Sequence, residues 1–269
     1  MGLTAKAVSM GAFFGLTLAT WGSSPYPIDA PLPGPTSQYT QKLIELLKNW
    51  PPKILDYASS SLDPNPVHMA CIGTPEDFFF IGIEQWMWID APIQTVTAVM
   101  DDMNHYQKMF PDYDDIHIVS TDRNKIVTFW EQHIPLFPNV KYEVTYIRDE
   151  SKPGMKIYRY QLLKSSKLIN NDGIIVLESM SDGGKIRTRY TEYDFYNANW
   201  GLLKTIAPTR IWKESAEGIY LSDIAIKLKA EHFDDPSWTY QRISRESKNI
   251  LEHFPVDNTL KHRKRFSST

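Results

Sequence analysis

Two sets of titratable residues in this chain sit at strand spacing, where side chains two apart share a face. Glu131 and His133 form one such set, and a carboxylate beside an imidazole can relay a proton, although an ion pair uses the same two groups structurally. Arg187 and Arg189 stand close in sequence to Glu192 and Asp194, a mixture expected on the solvated face of a sheet, where opposite charges pair across strands. Beyond these, the chemistry is sparse. The sequence holds no His-Glu-x-x-His, no Gly-rich phosphate loop, no Gly-x-Ser-x-Gly elbow and no Cys-x-x-Cys. Its one cysteine, Cys71, can form neither an intrachain disulfide nor a cysteine metal cluster, and beside Met69, Ala70 and Ile72 it reads as a buried thiol. No metal or cofactor is expected, and whether the chain catalyses a reaction is left open by these residues.

The elements that would position such groups follow from periodicity. An apolar and aromatic run over 78–90 reads as a strand, bulged near Gly82. Asp90, Ala91 and Pro92 then start a helix carrying Val96, Val99 and Met100, and a second short helix carries Tyr106, Met109 and Phe110 up to Pro111. After Pro111 the period changes, and strands are expected over 116–121, 126–134, 140–148, 156–163, 173–180 and 185–196. The turns between them are 122–124, 135–139, 151–154, 170–172 and 182–184. A long helix covers about 208–231. One antiparallel sheet of seven strands against one long helix leaves a space between two layers, and side chains on the inner sheet face line it.

Alternation nominates the lining. On 140–148 the polar Lys141, Glu143 and Thr145 suit solvent, which turns Tyr142, Val144 and Tyr146 inward. On the preceding strand Thr128, Trp130 and Gln132 alternate with Phe129, Glu131 and His133, and either set could face in; Trp130 is taken as a ligand contact. On 156–163 Tyr158 and Tyr160 share one face and Arg159 the other, and either could orient a ligand carboxylate or hydroxyl. Along the long helix Trp212, Ala216, Ile219 and Ile226 form a stripe assigned to the cavity. Leu221, Ile224, Ala225 and Leu228 form a second stripe, to be covered by an N-terminal extension or the last helix.

Two stretches carry a likeness to a known family. The run 88–93 (WIDAPI) with Val96 and Val99 resembles the opening strand, Ala-Pro and helix of the START-like superfamily, also called SRPBCC. The run 103–111 (MNHYQKMFP) followed by the strand at 116–119 resembles that family's Tyr, spacer and Phe-Pro approach to the second strand. The likeness spans about 78–232. It implies an α+β helix-grip fold: a curved antiparallel sheet wrapped on a long C-terminal helix, here with helical extensions at both ends. The family includes lipid and sterol carriers, quinone-binding proteins, hormone receptors and aromatic polyketide cyclases, so it specifies a fold better than an activity.

The rest of the chain sets compartment and partners. Lys6, an apolar Gly-containing run over 7–21 and the small residues 22–24 have the parts of a secretory signal, and the run is shorter than the roughly 20 apolar residues of a membrane span. Export, periplasmic or secreted, is therefore expected for a signal over 1–24, with an uncleaved anchor as the alternative. Residues 25–77 form a proline-rich linker and a helical extension, with helices over 36–50 and 53–60. Residues 233–269 form an amphipathic helix starting at 235–237 and a basic tail over 261–266, which could touch anionic lipid transiently. A net charge of -3 over 269 residues gives no basic field for nucleic acid. The expectation is binding and carriage of a hydrophobic small molecule (a lipid, sterol, quinone or polyketide-like compound), admitted where 197–207 approaches the helix. The alternatives are a cyclase or aromatase using the same cavity, and a protein-interaction module with a filled interior.

Overall fold

Ala91 and Pro92 make the junction from which the fold is assembled. Pro92 is extended (φ -61, ψ 150) and its carbonyl accepts the amides of Thr95 and Val96 at 2.9 and 3.2 Å, which starts helix α1, Ile93–Asp101. The Ala91 carbonyl accepts the Thr188 hydroxyl at 2.7 Å, fixing that corner to the neighbouring strand, where Thr188 lies opposite Ile89. The computed structural model describes residues 67–71, 81–133, 139–150, 153–182, 184–198 and 208–253, and the side chains of most of these. The expected signal run, the proline-rich segment, the two N-terminal helices, the approach at 199–207 and the basic tail all lie outside the described residues, as does the Trp212 side chain.

The strands are β1, His68–Cys71; β2, Ile81–Ile89; β3, Tyr113–Asp122; β4, Lys125–Gln132; β5, Val140–Asp149; β6, Met155–Ser165; β7, Leu168–Asp182; and β8, Lys185–Ala198. The helices after α1 are α2, Tyr106–Met109, preceded by a 3-10 turn at Met103–His105; α3, Pro208–Glu231; and α4, Tyr240–His253. The sheet runs β1-β2-β8-β7-β6-β5-β4-β3 and every pair described is antiparallel. The seven expected strands are β2 to β8. With α3 against them they make the expected α+β helix-grip arrangement. To these the structure adds β1, which extends the edge by pairing with β2 from His68 opposite Trp86 to Cys71 opposite Ile83. The sheet thus reaches ten residues ahead of the boundary expected at 78.

Two boundaries move for local reasons. The turn expected at 170–172 is instead at 166–167, where the Ser165 hydroxyl accepts the amides of Lys167 and Leu168 at 3.1 and 2.8 Å. Asn170 to Asp172 remain in β7 because they pair with β8, and the Asp172 carboxylate accepts the Leu162 amide at 3.1 Å. The last helix starts at Tyr240 rather than 235. Asp235 uses its carboxylate on the Ser237 amide at 2.9 Å, a turn of its own, and Thr239 caps the helix by accepting the Arg242 amide at 3.3 Å.

α3 lies across the inner face of the sheet. Its C-terminal turn is tied down by Lys227 Nζ, which donates to the Trp88 carbonyl, and by Glu231, which accepts the Asp90 amide at 2.8 Å and pairs with Lys227 at 2.6 Å. α4 then packs along α3 and α2 through the buried Ile243, and its Tyr240 hydroxyl donates to Asp102 at 2.9 Å. Leu221, Ile224, Ala225 and Leu228, the second expected stripe, are all buried. Among the described residues no helix is long and apolar enough to cross a membrane.

Candidate functional site

The inner sheet face and α3 enclose a cavity of about 110 Å³. Side-chain alternation puts one row of residues under it, because cross-strand partners share a face. Tyr146 on β5 lies opposite Tyr160 on β6, which lies opposite Gly173 on β7, which lies opposite Asp194 on β8. Gly173 is the gap in that row. With no side chain there, the Tyr160 ring lies over the β7 backbone and its hydroxyl reaches across to Glu192 on β8, donating at 2.8 Å.

One end of the cavity is aromatic. Trp130 is parallel to Tyr142, 6.1 Å between ring centroids, and meets Tyr113 edge-on at 5.2 Å. Its indole N–H is satisfied by the Thr128 hydroxyl at 2.7 Å, so the ring is fixed in orientation. Phe110 stacks on the same indole at 6.3 Å, and Tyr106 donates to the Met100 carbonyl at 2.7 Å. Tyr106 and Phe110 are the residues of the Tyr, spacer and Phe-Pro stretch, and both line the cavity.

The other end is acidic. Glu192 accepts three hydrogen bonds, from Gln85 Nε2 at 2.9 Å and from the Tyr160 and Tyr190 hydroxyls, both at 2.8 Å. Asp194 lines the same wall, and Asp223 faces it from α3 with Tyr190 and Glu192 in hydrogen-bonding reach. Burial, then the neighbouring charges of Glu192 and Asp194, pushes the Asp223 carboxyl well up. Burial does the same to the phenols: Tyr113 is pushed up to about 12, and Tyr160 and Tyr190 are raised well above their ordinary value, so all three remain O–H donors across the physiological range. α3 contributes little bulk here. Ser215, Gly218 and Ser222 are the residues it presents, with Ile219 and Ile226 beside them.

Of the residues nominated from the sequence, Trp130, Tyr142, Tyr146, Tyr160, Ile219 and Ile226 are brought together around this space. Val144 and Ala216 are buried in the surrounding core without lining it. Tyr158 is fully buried under α1, donating to Asp101 at 3.4 Å beside Arg148. Arg159 points to the opposite face of the sheet, near Asp149 at 3.8 Å. Glu131 and His133 are also away from the cavity. Glu131 pairs with Lys141 at 3.1 Å and accepts from Asn139 at 2.9 Å, while His133 is exposed and 3.7 Å from Asp114.

The reading of Glu192 and Asp194 as part of a solvated charge ladder is corrected by the register. Arg187 pairs with Asp90 at 2.6 Å and Arg189 with Glu178, so the two arginines are used on the face away from the acids. Glu192 and Asp194 are 8% and 4% exposed, and Asp223 is 1% exposed. A sequence signal for Asp223 does exist: it stands four residues after Ile219 and three before Ile226, inside the very stripe assigned to the cavity.

The raised Asp223 carboxyl makes stability depend on pH with a definite sign. Below the ordinary carboxylate range the folded and unfolded chains both hold the proton, and stability is complete. Above it and up to the folded value only the folded chain holds it, so stability falls with rising pH by at most about 1.4 kcal/mol per unit. Asp223→Asn is expected to flatten this decline, raising the melting temperature relative to the parent at about pH 8 while matching it near pH 4. Parallel melting curves of the two chains across that range, with the same pH slope, would show that Asp223 does not carry the effect.

The sequence matches no family model and no curated protein. The fold is similar to that of a protein from Thermus thermophilus, at 11% identity and a TM-score of 0.48, over 56% of this chain and 98% of that one. It is similar to the Zhui aromatase/cyclase from a Streptomyces species at 14% identity and a TM-score of 0.44, over 64% of this chain and 99% of that one. A STAR-related lipid transfer protein from Xanthomonas axonopodis gives 14% identity and a TM-score of 0.47, over 62% of this chain and 95% of that one. At these identities and scores the likenesses carry no argument about ligand or activity.

Proposed function

We propose that this chain binds a small molecule with a hydrophobic body in the cavity between the sheet and α3. The observation that supports it is the cavity itself: a concave space with an aromatic wall at one end and hydrogen-bonding groups at the other, the usual make-up of a ligand site. Ring burial would supply affinity, at about 25 cal/mol per Å² of apolar area before association costs, and the polar end would set orientation. An apolar cavity of comparable size holds one benzene-sized group. A lipid, sterol, quinone or polyketide-like ligand would therefore have to lift α3 away from the sheet, and carriage of such a compound is the finer form of this proposal.

A second reading, acid-base catalysis on the bound molecule, is favoured by one feature. A carboxyl pushed well up by burial and by neighbouring charge, Asp223, lies within reach of a second carboxyl, Glu192, and such pairs are common where an enzyme needs an acid and a base. Glu131 and His133 have no part in that version.

Native mass spectrometry of the gently purified full chain, followed by organic extraction, tests the binding proposal. A defined apolar compound at unit stoichiometry is the expected result. Gly218→Leu should abolish its retention without unfolding the chain, because a Cβ at Gly218 meets only Gln132, at 3.7 Å, and a longer side chain would grow into the cavity. A chain that is empty as purified and takes up no lipid, sterol or quinone probe would sink the proposal.

A further inference from the structure

We propose that the cavity selects a protonated primary or secondary amine carried on an aromatic or compact apolar body. This rests on the cavity being a ligand site and names the charge and donor character of what enters it. Three acidic side chains, Glu192, Asp194 and Asp223, converge on the space, and no lysine, arginine or histidine is among the described residues lining it. The wall facing a ligand is therefore negative, with nothing on the described lining to neutralise it.

A second observation is independent of that charge count. Asp223 is 1% exposed, and its Oδ2 has no hydrogen-bond partner among the described residues. A buried carboxyl oxygen without a donor is costly, and Gln85, Tyr160 and Tyr190 nearby each donate a hydrogen bond to Glu192. An N–H or O–H group on an occupant would supply the missing donor. Among the described residues no group of three His, Cys, Asp or Glu side chains is arranged to hold a metal ion. An ammonium meets both needs, since it donates and also offsets the acidic wall, whereas a hydroxyl only donates and a carboxylate is repelled.

The aromatic end suits the same ligand. Tyr146 and Tyr160, 5.5 Å apart, border the acidic wall, and the π-faces of such rings attract a cation held near them. Trp130 and Tyr142 beyond them receive an apolar body. The ionisable groups facing Asp223 are Tyr190, Glu192 and Asp194 on β8, with Tyr160 on β6 reaching Glu192, and none of these is a cation. Arrival of an ammonium would favour the carboxylate form of Asp223, a proton held there leaving to solvent while the amine stays protonated.

Isothermal titration calorimetry on the full chain at neutral pH, in two buffers of different protonation enthalpy, separates the possibilities. The probes are 2-phenylethylamine as the cation, 2-phenylethanol as the neutral donor and 3-phenylpropanoate as the anion. The amine is expected to bind about tenfold or more tightly than the alcohol and to release a proton, with no measurable heat from the anion. Asp223→Asn should weaken the amine about tenfold and leave the alcohol within about twofold. Should that variant fail to fold, proton release by the parent chain, present for the amine and absent for the alcohol, carries the same information. An alcohol or anion that binds as tightly as the amine overturns the amine assignment and leaves the ligand site standing. Silence from all three probes, in a chain that also takes up no lipid, sterol or quinone, overturns both.

Discussion

Gly173→Ala is expected to destabilise the protein by about 3 kcal/mol or to prevent folding, a large effect for one methyl group. Its backbone angle is not the reason. A Cβ at this position would overlap the Tyr160 ring and the Tyr193 carbonyl, one a side chain that could in principle move and the other backbone that cannot move without breaking the β7-β8 pairing. Tyr160 has little freedom either, because it is 4% exposed, packed on Tyr146, and held by its hydrogen bond to Glu192. Chemical denaturation of the variant measures the cost. A double-mutant cycle with Tyr160→Ala then divides it: the part due to the ring should disappear from the double variant and the part due to the carbonyl should persist. A Gly173→Ala protein as stable as the parent, with Tyr160 fluorescence unperturbed, would mean that the glycine does not set the position of that ring.

Glu192→Ala carries the second large effect, a loss of roughly 3–5 kcal/mol. Three buried donors lose their acceptor at once, each worth about 1–3 kcal/mol when orphaned, and water entering the cavity together with relief of repulsion from Asp194 returns part of it. Glu192→Gln is the informative comparison, since it keeps the volume and one acceptor while removing the charge. In that variant one of the causes raising the Asp223 carboxyl is gone, so Asp223 should ionise at lower pH than in the parent. The infrared carboxylic acid band followed across a pH titration reads this directly. A band that persists to the same pH in both chains would show that burial alone holds the Asp223 proton.

Much of the fold was legible because its signals are local. The Ala91-Pro92 corner, the Gly184 turn (φ 87) and the alternation on β5 each announce themselves within a few residues. β1 was not legible, because four residues with no apolar alternation become a strand only by pairing with β2. The start of β7 misled for a related reason: Asn170, Asn171 and Asp172 are turn formers by composition, and only the register with β8 makes them strand. The site divided in the same way. Its aromatic half follows from which residues of β5 could not face water. Its acidic half depends on which partners Arg187 and Arg189 choose, and that is decided by Asp90 and Glu178, 97 and 11 residues away along the chain. Local charge balance suggested a solvated ladder; tertiary pairing removed the arginines and left the acids inside.

The stretch of α3 that faces the cavity has a consequence of its own. Ser215, Gly218 and Ser222 recur at helical spacing, and their smallness is what keeps the two layers from closing on each other. The bore of the site is thus written on one side of one helix, while its charge is written mainly on β8. Width can then be altered by single replacements on α3, without disturbing the pairing of the sheet or the charge on β8. A lineage carrying this chain could retune the girth of its cargo within a few mutational steps and keep the same anchoring chemistry at the far wall.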